Sequence, residues 1–169
     1  MTSNESSRTR VYTLVHNVCE IWALIGGAVL LAVVLVNAYS IVSDILFTKP
    51  FPGDFEITEV GIGIAAFCFL PYCQITGSNV SADIFTANAS RSAIAIMSMF
   101  GSIVAVAFSI FMLWRMSDGL LSYIEYEEVT GILSFPIWMA FIPCLLSLCL
   151  LVVSAFASLV DIYGTRRRA

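Results

Sequence analysis

Charged residues are absent from four long stretches of this chain, residues 21–43, 60–82, 92–114 and 129–160, and cluster in the short connections between them and at the two ends. At about 1.5 Å of rise per residue, a run of 23 residues reaches roughly 34 Å as a helix, against a hydrocarbon core of about 30 Å. The pattern predicts an all-α membrane protein with four transmembrane helices. It forms a single four-helix domain over residues 1–169, with spans at about 21–43, 60–77, 92–114 and 134–160. The fourth uncharged run is 32 residues long and contains Pro136 and Pro143. Tilt, a kink, or a short segment before the true helix accommodates its excess length.

A second periodicity precedes the first span. Val11, Leu14, Val15, Val18 and Trp22 recur at helical spacing, whereas Arg10, Thr13, Asn17 and Glu20 mark the opposite face. Residues 1–20 are therefore expected to form a cytoplasmic, amphipathic interfacial segment along the membrane surface, with Trp22 at headgroup depth. His16 falls on the polar side and reads as a solvated histidine. No cleaved signal peptide is expected, because the first ten residues are polar and the first apolar run exceeds a signal core in length.

Charge divides unevenly between the two sides. The connection after the first span sets Asp44, Asp54, Glu56 and Glu59 against Lys49, and the connection after the third sets Asp118, Glu125, Glu127 and Glu128 against Arg115. Arg8, Arg10, Arg91 and the run Arg166, Arg167 and Arg168 occupy the other side. Lys and Arg near helix ends are retained in the cytoplasm, so both termini and the middle connection are expected inside and the two acidic connections outside. The terminal arginines read as a topology anchor to anionic lipid rather than as a nucleic-acid contact.

With 59% hydrophobic and 12% charged residues, the chain is far from an average soluble domain. Its five cysteines, Cys19, Cys68, Cys73, Cys144 and Cys149, lie in or at the edge of apolar runs without C-x-x-C spacing, and read as small buried apolar residues. One histidine completes no metal site with them. Gly61 precedes Ala65 by four residues and Gly101 precedes Ala105, spacings that let membrane helices approach closely. Asn37, an amide inside the first span, reads as an interhelical hydrogen-bonding group. Glu56 and Glu59 open the second span, where carboxylates favour the positive end of the helix dipole.

No phosphate-binding glycine loop, nucleophile elbow or paired histidine is present in the sequence, so an enzyme is not expected. Ionisable residues deep inside the spans are absent from the four runs, although proton relays and ion-coupled binding sites usually require them or broken helices at mid-membrane. A subunit whose helices support another chain fits best. A stand-alone four-helix exporter would need a membrane-embedded carboxylate, and Glu20 lies too near the edge. A haem-bearing anchor conflicts with the single histidine.

Three local features then carry a resemblance. Glu59 leads into an apolar span; the stretch QITGSNVSADIF holds Gly77, Val80 and Asp83; and TGILSFPIWMAFIPCLLSLCLL holds Pro136, Trp138 and Pro143. Over nearly its whole length the chain resembles the small, four-helix, Q-type membrane subunit of tripartite ATP-independent periplasmic (TRAP) transporters. Ser78 and Asn79 stand where that family often has other polar or histidine residues.

The resemblance implies a bacterial or archaeal inner-membrane protein that packs against a large membrane subunit. That assembly takes up an organic acid from a periplasmic binding protein by sodium symport. It implies no cofactor in this chain, with sodium bound by the large subunit. Candidate partner-interface residues are Glu59, Gly61, Gly77, Asp83, Arg91, Gly101, Pro136, Trp138 and Pro143. Candidate docking residues for the binding protein are Asp54, Glu56, Asp118, Glu125, Glu127 and Glu128, with membrane lipid as the remaining partner and no nucleic acid.

Overall fold

A computed structural model describes residues 3–77 and 91–166. It contains four long helices: α1 (Ser3–Phe47), α2 (Asp54–Thr76), α3 (Arg91–Glu125) and α4 (Trp138–Arg166). Each is long and apolar enough to cross a membrane. The expected spans 21–43 and 92–114 fall within α1 and α3, which outrun them at both ends; 60–77 runs one residue past the end of α2, and 134–160 starts four residues before α4. Of the expected interface residues, Asp83 lies outside the described residues.

The amphipathic lead-in is not a separate surface segment. α1 runs unbroken for 45 residues, about 68 Å, because nothing between Arg8 and Glu20 interrupts helical hydrogen bonding. Tyr12 donates a hydrogen bond to the carbonyl of Ile75 at 3.0 Å, and the His16 ring meets Tyr72 edge-on at 5.9 Å. These contacts hold the early turns of α1 against the end of α2. Likewise, Met116 to Glu125 continue α3 as helix instead of forming a loop.

The helices pack in the spatial order α1, α2, α4, α3. α1 lies along α2, α2 along α4, and α4 along α3, with a lesser contact between α1 and α4. Gln74 of α2 approaches Ser102 of α3 at 3.5 Å. The result is a layered wall, so large apolar side chains of α1 such as Leu24, Leu31 and Leu35, and of α3 such as Phe100, Phe108 and Phe111, stay exposed. In a bilayer that exposure costs nothing, since lipid tails are as apolar as leucine.

The α1–α2 seam is built on two glycines. A methyl group on Gly26 of α1 would stand 2.6 Å from Cys68 Cβ and 3.3 Å from the Ala65 carbonyl oxygen of α2, and one on Gly61 of α2 would overlap Val33 of α1. Gly26 and Val33 are seven residues apart, as are Gly61 and Cys68, so each helix offers one gap and one knob two turns away. Antiparallel pairing matches each knob to the opposite gap. Gly27 and Gly101, by contrast, face open space.

Where α1, α2 and α4 meet, the Trp22 indole N–H donates to the Ser147 hydroxyl at 2.8 Å, and that hydroxyl lies 2.8 Å from the Pro143 carbonyl and 3.8 Å from Cys68 Sγ. Trp22 therefore turns into the bundle at the level of Gly26 and Cys68, not toward the headgroups. Its N–H has a partner there, which removes the usual reason for an indole to seek the interface. Ser147 and Leu148 of α4 are essentially fully buried at this node, and Ser154 and Ala155 are fully buried about two turns further along α4.

Two comparisons test this packing. Gly26→Ala should destabilise the folded protein in detergent by about 1–3 kcal/mol through overpacking, while Gly27→Ala should leave its thermal transition unchanged. Ser147→Ala should cost more than Trp22→Phe, because it strands an indole N–H inside the bundle whereas the latter leaves Ser147 bonded to Pro143; scanning calorimetry in detergent reads both.

Candidate functional site

The polar groups of the described chain concentrate at the end where α1 stops and α2 starts, here termed the acidic end. The turn of α1 into α2 needs backbone that few side chains tolerate. Thr48 has φ 54°, and Gly53, just before α2, has φ 85° with Leu133 so close that a methyl group would stand 2.5 Å from its Cγ. Glycine satisfies both demands at once.

Side chains then lace the two helices. Asn37 donates to the Thr58 hydroxyl at 2.7 Å, and Thr58 donates to the Asp54 carbonyl at 2.7 Å. Ser40, buried on α1, donates to Asp54 Oδ2 at 2.6 Å and accepts from the Phe51 amide at 3.1 Å. Asp54 Oδ1 accepts from the Phe55 amide. Asn37 is thus an interhelical clasp, and Asp54 is occupied within the chain.

Glu56 reaches further. Its Oε1 accepts the backbone N–H of Ile132 at 2.7 Å and its Oε2 accepts that of Leu133 at 3.0 Å, residues more than seventy positions away. Those amides belong to a hairpin between α3 and α4, closed by an antiparallel bridge between Val129 and Pro136 and by bonds from the Thr130 amide to Phe135 O and from the Ile137 amide to Glu128 O. The Thr130 hydroxyl caps the turn by accepting from the Phe135 amide at 3.0 Å. Two charge-assisted bonds from one carboxylate fix the hairpin against α2. The expected lead-in to the fourth span is this hairpin, and α4 begins at Trp138, four residues after position 134.

The remaining expected residues separate. Glu59 is exposed one turn along α2; Gly61 is buried within the α1–α2 seam; Gly77 caps α2 with φ 66° and is exposed; Gly101 lies on an exposed face of α3. Arg91 is the first residue of α3. Pro136 closes the hairpin, Trp138 opens α4, and Pro143 sits inside α4, where its carbonyl accepts from Ser147. Asp118 pairs with Arg115 at 3.9 Å, and Glu125, Glu127 and Glu128 are exposed. Glu127, Glu128 and Trp138 border one cavity of about 520 Å³. The clamping role of Glu56 carried no local sequence signal, since its partners are backbone amides of a distant turn.

Among the described residues there is no group of His, Cys, Asp and Glu arranged to hold a metal ion, and the cysteines are free. Polar side chains instead tie helix to helix and hairpin to helix. That arrangement defines a polytopic membrane component whose polar chemistry is spent on its own architecture. Residues 33–164 match the family described as tripartite ATP-independent periplasmic transporters, DctQ component. The chain belongs to this family, one of transporter components and not of enzymes. Neither the curated proteins nor the solved structures contain a significant match.

Replacing Glu56 by Gln should loosen the hairpin, because a carboxamide nitrogen cannot accept the second amide. Hydrogen exchange at Ile132 and Leu133 should accelerate several-fold in Glu56→Gln and stay at the wild-type rate in Glu59→Gln, whose side chain is exposed. Equal rates in wild type and Glu56→Gln would remove the clamp.

Proposed function

We propose that this chain is the small permease subunit of a sodium-driven, binding-protein-dependent uptake system for an organic acid, and that it serves as a stationary scaffold for a large membrane subunit. The observation that carries this reading is the layered order of the helices, which leaves long apolar faces of α1 and α3 uncovered while the buried polar side chains among the described residues are paired. A wall of this kind supports a neighbour along its length. Membership in a family of tripartite transporter components supplies the neighbours.

In this reading the termini lie in the cytoplasm of a bacterial or archaeal inner membrane and the acidic end faces the periplasm. Sodium and solute bind in the large subunit. Gly101, open on α3, together with Pro136 of the hairpin and Trp138 and Pro143 at the start of α4, belongs to the surface that meets the large subunit, and Glu59, Gly77 and Arg91 extend it toward the membrane surfaces; Asp83, outside the described residues, is assigned to the same partner from the sequence alone. Gly61 contributes indirectly by setting the α1–α2 spacing. Asp118, Glu125, Glu127 and Glu128 present negative charge to the binding protein, whereas Asp54 and Glu56 are engaged inside the chain and shape that surface.

Co-purification with the adjacently encoded large membrane protein, followed by sodium-dependent uptake in liposomes, tests the assignment. A stable complex and loss of uptake on omitting this chain are expected; a stable monomer with unimpaired uptake by the large subunit alone would refute it. Neutralising Glu125, Glu127 and Glu128 to Gln should weaken docking of the binding protein chiefly at low ionic strength, where charges are least screened.

A further inference from the structure

A cavity of about 630 Å³ lies beneath the hairpin, between α1 and α2. Val29, Val33 and Val36 of α1, Ile57 and Val60 of α2, and Phe135 of the hairpin form its walls. Val29, Val33 and Val36 fall within the first uncharged run, so the cavity extends from the hairpin down into the apolar depth of that span. Its back is the seam where Gly61 presses on Val33, and its roof is held by the Glu56 bonds to Ile132 and Leu133. Ala32 also lines it and is exposed, so the mouth opens on the flank of α1, beside the exposed apolar residues Leu31 and Leu35.

Of the polar side chains at its edge, the Glu56 carboxylate is engaged by the hairpin amides and the Thr130 hydroxyl by the Phe135 amide, while Ser134 is exposed on the hairpin. Water needs two to four polar partners and finds no such set on the valine walls. An empty space of this size would forfeit the dispersion contacts of every wall residue. A partner helix is about 10–12 Å across and runs the full depth of the membrane, which suits neither the roof nor the closed back. A flexible alkyl chain suits both, and the mouth opens at the α1 edge of the wall, away from the α3 and α4 residues assigned to the large subunit, where acyl chains reach it from the bilayer.

We propose that this slot binds one acyl chain of a phospholipid from the leaflet at the acidic end, making the lipid a structural filler between α1, α2 and the hairpin. The bound chain presses outward on Phe135 and inward on Val33, coupling the hairpin to the helix seam through apolar contact in parallel with Glu56.

The full chain, reconstituted in phosphatidylcholine vesicles containing a small fraction of phosphatidylcholine with a diazirine at the end of one acyl chain, tests this after photolysis and peptide mapping. Adducts should concentrate on Ala32, Val36 and Phe135, and Ala32→Trp, which blocks the mouth from an exposed position, should lower them several-fold without changing adducts at Leu24 or Phe108. Val36→Phe, which fills the slot from within, should act the same way and serves if the first variant fails to insert. Slot adducts no denser than those at Leu24 and Phe108, or unaffected by the blocking variants, would overturn the proposal. So would a benzoylphenylalanine at position 36 that crosslinks to another polypeptide in native membranes instead of to lipid.

Discussion

Close approach of α1 and α2 is the constraint on which the rest depends. Gly26 and Gly61 remove the side chains that would hold the two backbones apart, and Cys68 and Val33 fill the gaps that result. In a bilayer no hydrophobic force drives helices together, so this dispersion contact and the hydrogen bonds beside it supply the association. Once the seam is set, the remaining pieces find their places against it: Asn37 meets Thr58 and Ser40 meets Asp54 at one end, Tyr12 meets Ile75 at the other, and Trp22 reaches across to Ser147 of α4.

The hairpin is tied to the same seam from outside the hydrocarbon. Leu133 packs over Gly53 at the turn between α1 and α2, and Glu56 holds the Ile132 and Leu133 amides one turn further on. The start of α4 is thereby placed relative to α2, and α3 follows because it packs along α4, with Tyr123 against Phe141 at 5.0 Å between ring centres. One glycine-built seam and one carboxylate therefore order a wall of four helices. The apolar faces left over are the surfaces that lipid or neighbouring subunits cover.

The four spans were legible because charge exclusion is a local and strong constraint on membrane segments, as was the bonding role of Asn37. Less legible were the helix ends. Nothing in the sequence forced Ser3 to Phe47 into one helix or carried α3 on to Glu125, since polar turns of a helix outside the hydrocarbon look like any polar connection. Trp22 was misplaced because its partner, Ser147, is far along the chain. Gly61 and Gly101 show the same small-residue spacing, yet one is packed on Val33 and the other faces open space. Spacing reports what a position permits, and the neighbouring helix decides whether it is used. The acidic connection was visible as charge, but its division into internal clamps, Asp54 and Glu56, and exposed groups, Glu125, Glu127 and Glu128, depends on tertiary contacts.

If the chain is the stationary scaffold proposed above, this wall stays rigid while another subunit moves. Spin labels at the exposed positions Leu35 of α1 and Phe111 of α3 span the full width of the helix layer, and pulsed electron resonance in the reconstituted assembly reads the distance between them. The account predicts one narrow distribution that is unchanged by sodium, solute or binding protein. A distribution that shifts or splits when transport ligands are added would contradict it.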